Sequence, residues 1–194
     1  MATNDTKSIL LAGVGGQGTI LMSKVLTQGL VSAGYDVKMS EVHGMAQRGG
    51  SVSTQVRYGT KVYSPIIGRG EADVLVAFEK MEAARYAEFL KVGGTAVIND
   101  YAIMPLPVAT GMADYPEGTI EAMQMSFPVI VIPASRIAEE LGNPKCMNIV
   151  LLGALVNAFH LEGIDWNAAL EAAIPPKALA INLKAFQAGA AYRG

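Results

Sequence analysis

Three glycines near the start of the chain have the spacing of a phosphate-binding turn. Gly13, Gly15 and Gly18 fit the pattern G-x-G-x-x-G and directly follow the short apolar run 9–12. In this pattern the first glycine permits a sharp turn, the second lets a phosphate approach the backbone, and the third lets a helix pack closely on its strand. The motif therefore predicts a strand, a tight turn and a helix, with an anion held at the turn.

The helix predicted over 19–33 supplies the chemistry for that anion. Its apolar face consists of Met22, Val25, Leu26 and Leu30. The first amide N–H groups of a helix have no partner within it and lie at the positive end of its dipole, which attracts an anion. Gln17 can cap this helix or contact a ligand. The predicted contacts are Gly13, Val14, Gly15, Gly16, Gln17, Gly18 and Thr19, and a turn that serves packing alone is the alternative.

An acidic residue at the end of the second predicted strand, 36–42, is a candidate for a ribose contact. In dinucleotide-binding folds an acid at the carboxyl end of this strand binds the ribose hydroxyls. Glu41 lies at that end, whereas Asp36 has a suitable spacing but lies at the start of the strand. Glu41 is therefore the predicted contact, and a solvated carboxylate on an edge strand is the alternative.

The loop that follows combines an imidazole, an amide, a guanidinium and three glycines. Arg48 can hold a phosphate or carboxylate with two parallel hydrogen bonds, or it can bind neighbouring carbonyl groups. Gly49 and Gly50 permit backbone conformations that let a ligand or partner approach closely. For His43 a structural hydrogen bond is favoured over proton transfer. The predicted contacts from this loop are His43, Gln47, Arg48, Gly49, Gly50 and Ser51.

Three features of the second half also concern function. Asn148 begins an apolar helix predicted over 148–160; we interpret it as a helix cap, and a ligand contact is the alternative. Cys146, the single cysteine, is interpreted as a small buried side chain. The segment 103–125 is predicted to be irregular and contains four methionines, which suit an adaptable interface, a lid or a padded core.

The order of the predicted elements indicates an α/β fold. Later strands are predicted over 73–78, 95–98 and 129–132, and later helices over 79–90, 133–141, 166–174 and 177–192. Strand–helix–strand order implies parallel pairing with right-handed crossovers. A hairpin made of 52–57 and 62–67 is an insertion. We expect residues 1–194 to form one domain: a Rossmann-like, doubly wound, mainly parallel sheet with helices on both faces and an inserted β-hairpin.

The composition limits the functional classes. Hydrophobic residues make up 51% of the chain and charged residues 16%, against roughly 25% charged residues in an average soluble domain. This indicates a large core and a surface partly covered by another subunit. The net charge of −2 disfavours nucleic-acid binding. The polar start of the chain argues against a signal peptide, and the lack of a long apolar run argues against a membrane span. We therefore expect a cytoplasmic protein.

The chain contains no self-sufficient catalytic machinery that the sequence can identify. Thr19, and not a Walker-A lysine, follows the glycine turn. No cluster of His, Cys and Asp has metal-ligand spacing, and one cysteine cannot hold an iron–sulfur cluster that needs four. We therefore expect no catalytic or metal-binding residue, and a subunit that binds a cofactor or positions a partner.

Three stretches together resemble one enzyme family. They are 13–18, 41–52 and the run from Gly142 through Gly153, and the similarity extends over roughly 7–185. The chain resembles the gamma-type domain of the 2-oxoacid:ferredoxin oxidoreductases, and the loop 43–51 is most similar to the small beta subunit of the indolepyruvate branch. Enzymes of this family decarboxylate a 2-oxoacid on thiamine diphosphate, transfer electrons through iron–sulfur clusters to ferredoxin, and transfer the acyl group to coenzyme A.

The resemblance implies a division of labour between subunits. A large alpha subunit carries the thiamine diphosphate and the [4Fe-4S] clusters, and this chain completes the assembly. Because the gamma-type domain is associated with the coenzyme A site, the glycine turn and the Arg48–Gly50 loop are where the pyrophosphate of coenzyme A is expected. The resemblance leaves four points open: the side chain of the substrate, the electron acceptor, the stoichiometry of the complex, and whether the isolated chain forms a homodimer.

Two other functions remain alternatives. One is a stand-alone NAD(P)-binding protein in which Glu41 contacts a ribose. The other is a non-catalytic assembly module whose glycine turn packs against a partner.

Overall fold

A six-stranded sheet forms the centre of the computed structural model, which describes residues 6–43 and 49–193. Its strands are β1 (Lys7–Val14), β2 (Asp36–His43), β3 (Ser51–Gly59), β4 (Ala72–Ala77), β5 (Leu90–Asn99) and β6 (Val129–Ile132). The strand order is β2-β3-β1-β4-β5-β6. The pairs β1–β4, β4–β5 and β5–β6 are parallel, and β3 pairs antiparallel with both β1 and β2. The predicted mainly parallel sheet is confirmed.

The predicted hairpin of 52–57 and 62–67 is wrong. The hairpin in the structure consists of β2 and β3, and β3 lies between β2 and β1. Both edges of β3 are therefore occupied, so 62–67 has no free strand edge to pair with. Side chains of β3 hold this segment instead: Gln55 Oε1 accepts a hydrogen bond from Ile67 N (2.7 Å), and Arg57 donates to the carbonyl of Ile66 (3.0 Å).

Eight α-helices surround the sheet in the described part of the chain. They are α1 (Thr19–Ser32), α2 (Lys80–Tyr86), α3 (Leu106–Ala109), α4 (Thr119–Gln124), α5 (Ala134–Glu140), α6 (Met147–Ala158), α7 (Trp166–Ala173) and α8 (Pro176–Ala191). Short 3₁₀ turns follow α2 and precede α6. The prediction of an irregular 103–125 segment is wrong for α3 and α4. Met123 is buried, whereas Met104, Met112 and Met125 are exposed, so a methionine-padded core does not describe this segment.

The sheet separates two apolar clusters, because successive side chains of β1 point to opposite faces of the sheet. Ile9 and Leu11 pack with α1, α6 and α8, while Leu10 and Ala12 pack on the opposite face with residues of α2 and α4. Helices on both faces are thus confirmed.

Burial of Cys146 is also confirmed, and burial raises the pKa of its thiol.

Two helix contacts and one strand irregularity depend on glycine. A Cβ at Gly153 or Gly189 would overlap backbone atoms of the facing helix, so α6 and α8 touch at these two positions. Gly93 and Gly94 lie inside β5, where the pairing with β4 shifts register. A positive φ of 76° at Gly93 fits such a bulge.

Candidate functional site

The two glycine loops meet at the carboxyl end of β1. Gly15 N donates a hydrogen bond to Gly50 O (2.8 Å), and Gly49 N donates to Gly15 O (3.2 Å). These bonds extend the β1–β3 ladder, whose last pair is Val14 with Ser51. The two loops thus lie side by side as one backbone platform. Arg48 and Gln47, predicted as ligand contacts, lie outside the described residues, as does the side chain of His43.

The platform leads into α1 with its first amides free of side-chain capping. Gly18 is the N-cap residue at φ 84°, and no side chain of residues 6–43 or 49–193 caps the helix. The left-handed conformations of Gly16 (φ 105°) and Gly18 favour glycine at both positions. The predicted strand–turn–helix is confirmed, and the partial positive charge of the helix start faces the turn.

Gln17 links β1 to β4 and does not cap α1. Its Oε1 accepts a hydrogen bond from Val14 N (2.7 Å), and its Nε2 donates to Phe78 O (3.1 Å). The buried amide of Asn99 donates to the same carbonyl (3.1 Å). Gln17 therefore holds the ends of two adjacent parallel strands together and gives the glycine turn a fixed support.

Asn148 contacts the glycine turn, so the predicted capping role is wrong. The N-cap residue of α6 is Cys146, and no described side chain caps that helix. Asn148 is 2% exposed, and its Nδ2 donates to Gly18 O (3.0 Å). Among the residues that the structure describes, its Oδ1 has no hydrogen-bond partner. Leaving a buried amide oxygen without a partner costs free energy.

One hollow beside the platform, which we call the β2 hollow, has a volume of about 280 Å³. Its lining includes Gly15, Gly16, Thr19, Glu41 and Thr54. Glu41 therefore lies with the glycine turn, although β3 separates β2 from β1.

Asp36 is engaged at the other end of β2. It pairs with Lys38 and Lys61 and accepts a hydrogen bond from Val62 N (2.9 Å). The hydrogen bond from Lys38 is the largest cause that lowers the pKa of Asp36 to about 2. These contacts fit a structural carboxylate at the far end of the strand.

A second hollow, the α6 hollow, lies on the other side of the turn and has a volume of about 490 Å³. Its lining residues include Gly16, Gln17, Gly18, Tyr101, Ile103, Ser135, Glu139, Lys145, Met147 and Asn148. Gly16 and Gly18 line both hollows. The turn thus separates two spaces, and a ligand bound at the turn can extend into either.

Two buried glutamates support the site and were missed from the sequence. Glu79 caps α2 by accepting from Glu82 N (3.0 Å), and it also accepts from Ile103 N (3.1 Å) and from the hydroxyl of Tyr115. Glu82 accepts from Ser51, next to the second glycine loop. Burial, and next the bond to Glu79, raise the pKa of Tyr115. The position of Glu79 directly after a buried strand was the available signal for its capping role.

Within residues 6–43 and 49–193, no helix has the length and apolar character to cross a bilayer. The same residues include no group of three or more His, Cys, Asp or Glu side chains positioned to hold a metal ion.

Comparison with known proteins finds similarity over almost the whole chain. Residues 8–192 match the family Pyruvate ferredoxin/flavodoxin oxidoreductase. The chain is 38% identical over 188 residues to the indolepyruvate oxidoreductase subunit IorB of Pyrococcus horikoshii, and the match covers 94% of this chain and 93% of that relative.

Two solved structures share the fold. One is the gamma subunit of a keto/oxoacid ferredoxin oxidoreductase from Geobacter sulfurreducens PCA, with a TM-score of 0.72, 23% identity, and coverage of 95% of this chain and 94% of that chain. The other is the 2-oxoglutarate:ferredoxin oxidoreductase of Magnetococcus marinus with 2-oxoglutarate, coenzyme A and succinyl-CoA bound. It has a TM-score of 0.76, 24% identity, and coverage of 97% of this chain and 31% of that chain.

Proposed function

Because the chain belongs to the pyruvate ferredoxin/flavodoxin oxidoreductase family, we propose that it is the small subunit of an indolepyruvate-type 2-oxoacid:ferredoxin oxidoreductase. The complex converts an arylpyruvate, coenzyme A and oxidised ferredoxin into acyl-CoA, CO₂ and reduced ferredoxin. This chain, as one domain, completes the complex and helps to bind coenzyme A. Its high similarity to a relative named as an indolepyruvate oxidoreductase subunit supports the substrate class.

The joined glycine loops are the observation that carries the coenzyme A role. The bonds between Gly15, Gly49 and Gly50 form a backbone platform at the start of α1, where no side chain in the described part of the chain caps the helix amides. Free amides at a helix N-terminus suit the pyrophosphate of coenzyme A. The coenzyme A bound in the Magnetococcus marinus relative, which shares this fold, is consistent with that role.

The remaining chemistry belongs to a larger partner subunit in this proposal. Thiamine diphosphate bound to that partner would supply the electron sink for decarboxylation, and [4Fe-4S] clusters there would supply a path for electrons to ferredoxin. This chain has one cysteine, which is buried, and therefore does not hold such a cluster. The proposed residues for coenzyme A are those of the two loops together with Glu41 and Asn148. The proposed location is the cytoplasm.

Reconstitution tests the division of labour. The purified chain alone is expected to show no arylpyruvate-dependent ferredoxin reduction, and addition of the thiamine-binding subunit is expected to produce it. The partner subunit alone is the control, and it should show little coenzyme A-dependent turnover. Oxidation of arylpyruvate by the isolated chain would contradict the proposal.

The position of Glu41 favours one second candidate function, a stand-alone NAD(P)-binding protein. Glu41 lines the β2 hollow with Gly15 and Gly16, where a ribose hydroxyl can be bound. Calorimetry separates the two functions. The second function would be favoured if the isolated chain bound NAD tightly and Glu41→Gln weakened that binding. It would also require that the assembled complex does not bind coenzyme A.

A further inference from the structure

We infer that Glu82 is a positioning residue for coenzyme A binding, because its hydrogen bond to the Ser51 hydroxyl holds the second glycine loop against the first. This inference rests on the proposed function and gives Ser51 a role different from the predicted ligand contact. Glu82 and Ser51 act on the ligand only through the backbone platform of Gly15, Gly49 and Gly50.

The hydroxyl of Ser51 faces α2 and not the space beside the glycine turn. Successive side chains of a strand point to opposite faces of the sheet. Val52 and Thr54 of β3 line the β2 hollow together with residues of α1, whereas the Ser51 hydroxyl donates to Glu82 of α2. Among the described residues, the linings of the β2 hollow and the α6 hollow include neither Ser51 nor Glu82. The bond therefore supports the platform from behind.

The carboxylate of Glu82 is a fixed acceptor, because both of its oxygens are bound. Glu82 is 4% exposed. Its Oε1 accepts from Arg85 Nε (3.0 Å), and its Oε2 accepts from the hydroxyl of Ser51. The hydroxyl oxygen of Tyr86 lies 3.4 Å from Oγ of Ser51. Loss of a donor to a buried carboxylate costs free energy, so this site strongly favours a hydroxyl group at position 51.

The second glycine loop depends on such an anchor, because glycine has the greatest backbone freedom of all residues. Gly49 has φ 79°, and a Cβ there would meet no described atom within 4 Å. Gly49 N and Gly50 O bond to the backbone of Gly15, but a glycine has no side chain that could hold the loop in place. Ser51 directly follows these two glycines, so its bond to Glu82 fixes the position of the loop.

The segment 78–82 supports the first glycine loop as well. Gln17 of the turn donates from its Nε2 to the carbonyl of Phe78 (3.1 Å), at the end of β4. Glu82 lies in the first turn of α2, directly beyond this strand. Both loops are thus attached to one short segment, which fixes their positions relative to each other.

Hydrogen exchange tests the positioning without any ligand. In the purified chain, the amides of Gly15 and Gly49 report the bonds between the loops, and the amide of Ala96, which donates to Pro128 O (2.9 Å), is the internal reference. Relative to Ala96, Ser51→Ala is expected to speed exchange at Gly15 and Gly49 by about tenfold. Ser51→Thr, which keeps a hydroxyl group, should exchange like the wild type.

Steady-state kinetics of the assembled complex test the consequence for coenzyme A. Ser51→Ala is expected to raise the KM for coenzyme A about fivefold and to leave the KM for arylpyruvate unchanged within about twofold. Ser51→Thr should restore the KM for coenzyme A. Asn182→Ala removes the hydrogen bond from a buried amide to Ala178 O (2.8 Å) within α8, and it is the control for lost stability. It should change neither KM.

A double-mutant cycle assigns the effect to the pair of residues. In a Glu82→Ala background the acceptor is already absent, so the further change Ser51→Ala should alter the KM for coenzyme A by less than about twofold. An equally large effect of Ser51→Ala in both backgrounds would show that Glu82 is not the group through which Ser51 acts.

The outcomes separate this inference from the proposed function. If Ser51→Ala leaves either the exchange at Gly15 and Gly49 or the KM for coenzyme A unchanged, the inference is wrong and the proposed function stands. Failure of Ser51→Thr to restore the KM, or an equal rise in both KM values, also overturns the inference, because a general loss of stability then explains the effect. If the wild-type complex does not use coenzyme A, the proposed function fails and the role of Glu82 fails with it.

Discussion

The side-chain amide of Asn148 donates a hydrogen bond to the carbonyl oxygen of Gly18, 130 positions earlier in the chain, at 3.0 Å. This bond joins the start of α6 to the N-cap residue of α1. The helices α1 and α6, which both border the α6 hollow, are thereby fixed to each other at the glycine turn. The geometry of the proposed anion site depends on a residue far from the glycine motif.

Gly18→Ala should destabilise the fold. The residue has φ 84°, and a Cβ there would lie 2.5 Å from Nδ2 of Asn148. Backbone strain and the clash together should lower the free energy of unfolding by about 1–3 kcal/mol. Urea denaturation followed by circular dichroism measures this. Gly163→Ala, where a Cβ meets nothing within 4 Å, is the matched control. Equal midpoints for Gly18→Ala and the wild type would contradict the expected strain.

Asp36→Asn should destabilise the fold in a pH-dependent way. Because the folded-state pKa is lowered to about 2 from 3.8, the carboxylate stabilises the fold above about pH 4. This contribution declines as pH falls toward 2. The difference in urea midpoint between wild type and Asp36→Asn should therefore be present at pH 7 and disappear near pH 2. Asp114→Asn, at an exposed acid, controls for the change in net charge. A difference that persists unchanged at pH 2 would argue against the ion pairs as its source.

Glu79→Gln should loosen the segment that follows β5. The carboxylate accepts hydrogen bonds from Glu82 N, Ile103 N and Tyr115, and the amide replaces one acceptor by a donor. We expect a loss of about 1–3 kcal/mol in the free energy of unfolding.

The Tyr115 titration provides the specific readout for that variant. The raised pKa of Tyr115 means that its contribution to stability is present below about pH 10 and declines as pH rises further. Removal of the charge of Glu79 should lower this pKa, and ultraviolet titration against Tyr115→Phe identifies the residue. An unchanged Tyr115 titration would show that burial alone determines its pKa.

Local sequence signals predicted the elements of the candidate site that are close together in the sequence. Glycine spacing after an apolar run identified the turn and α1, and strand polarity distinguished Glu41 from Asp36. The insertion of β3 between β1 and β2 was not predictable in this way, because strand order depends on long-range pairing. Asn148 was interpreted as a helix cap from its position alone. Its contact with Gly18 could not be predicted, because it joins segments that are distant in the sequence.

Calorimetric titration of the assembled complex with coenzyme A, comparing wild type, Gly15→Asp and Gly163→Asp, tests the central claim most directly. Gly15 lines the β2 hollow together with Thr19, the first residue of α1, so a carboxylate added at Gly15 should repel the pyrophosphate. We predict that Gly15→Asp weakens coenzyme A binding by at least about tenfold, or about 1.4 kcal/mol, while Gly163→Asp binds like the wild type. If Gly15→Asp weakens subunit assembly but the assembled enzyme retains full affinity for coenzyme A, the turn serves assembly and the account is contradicted.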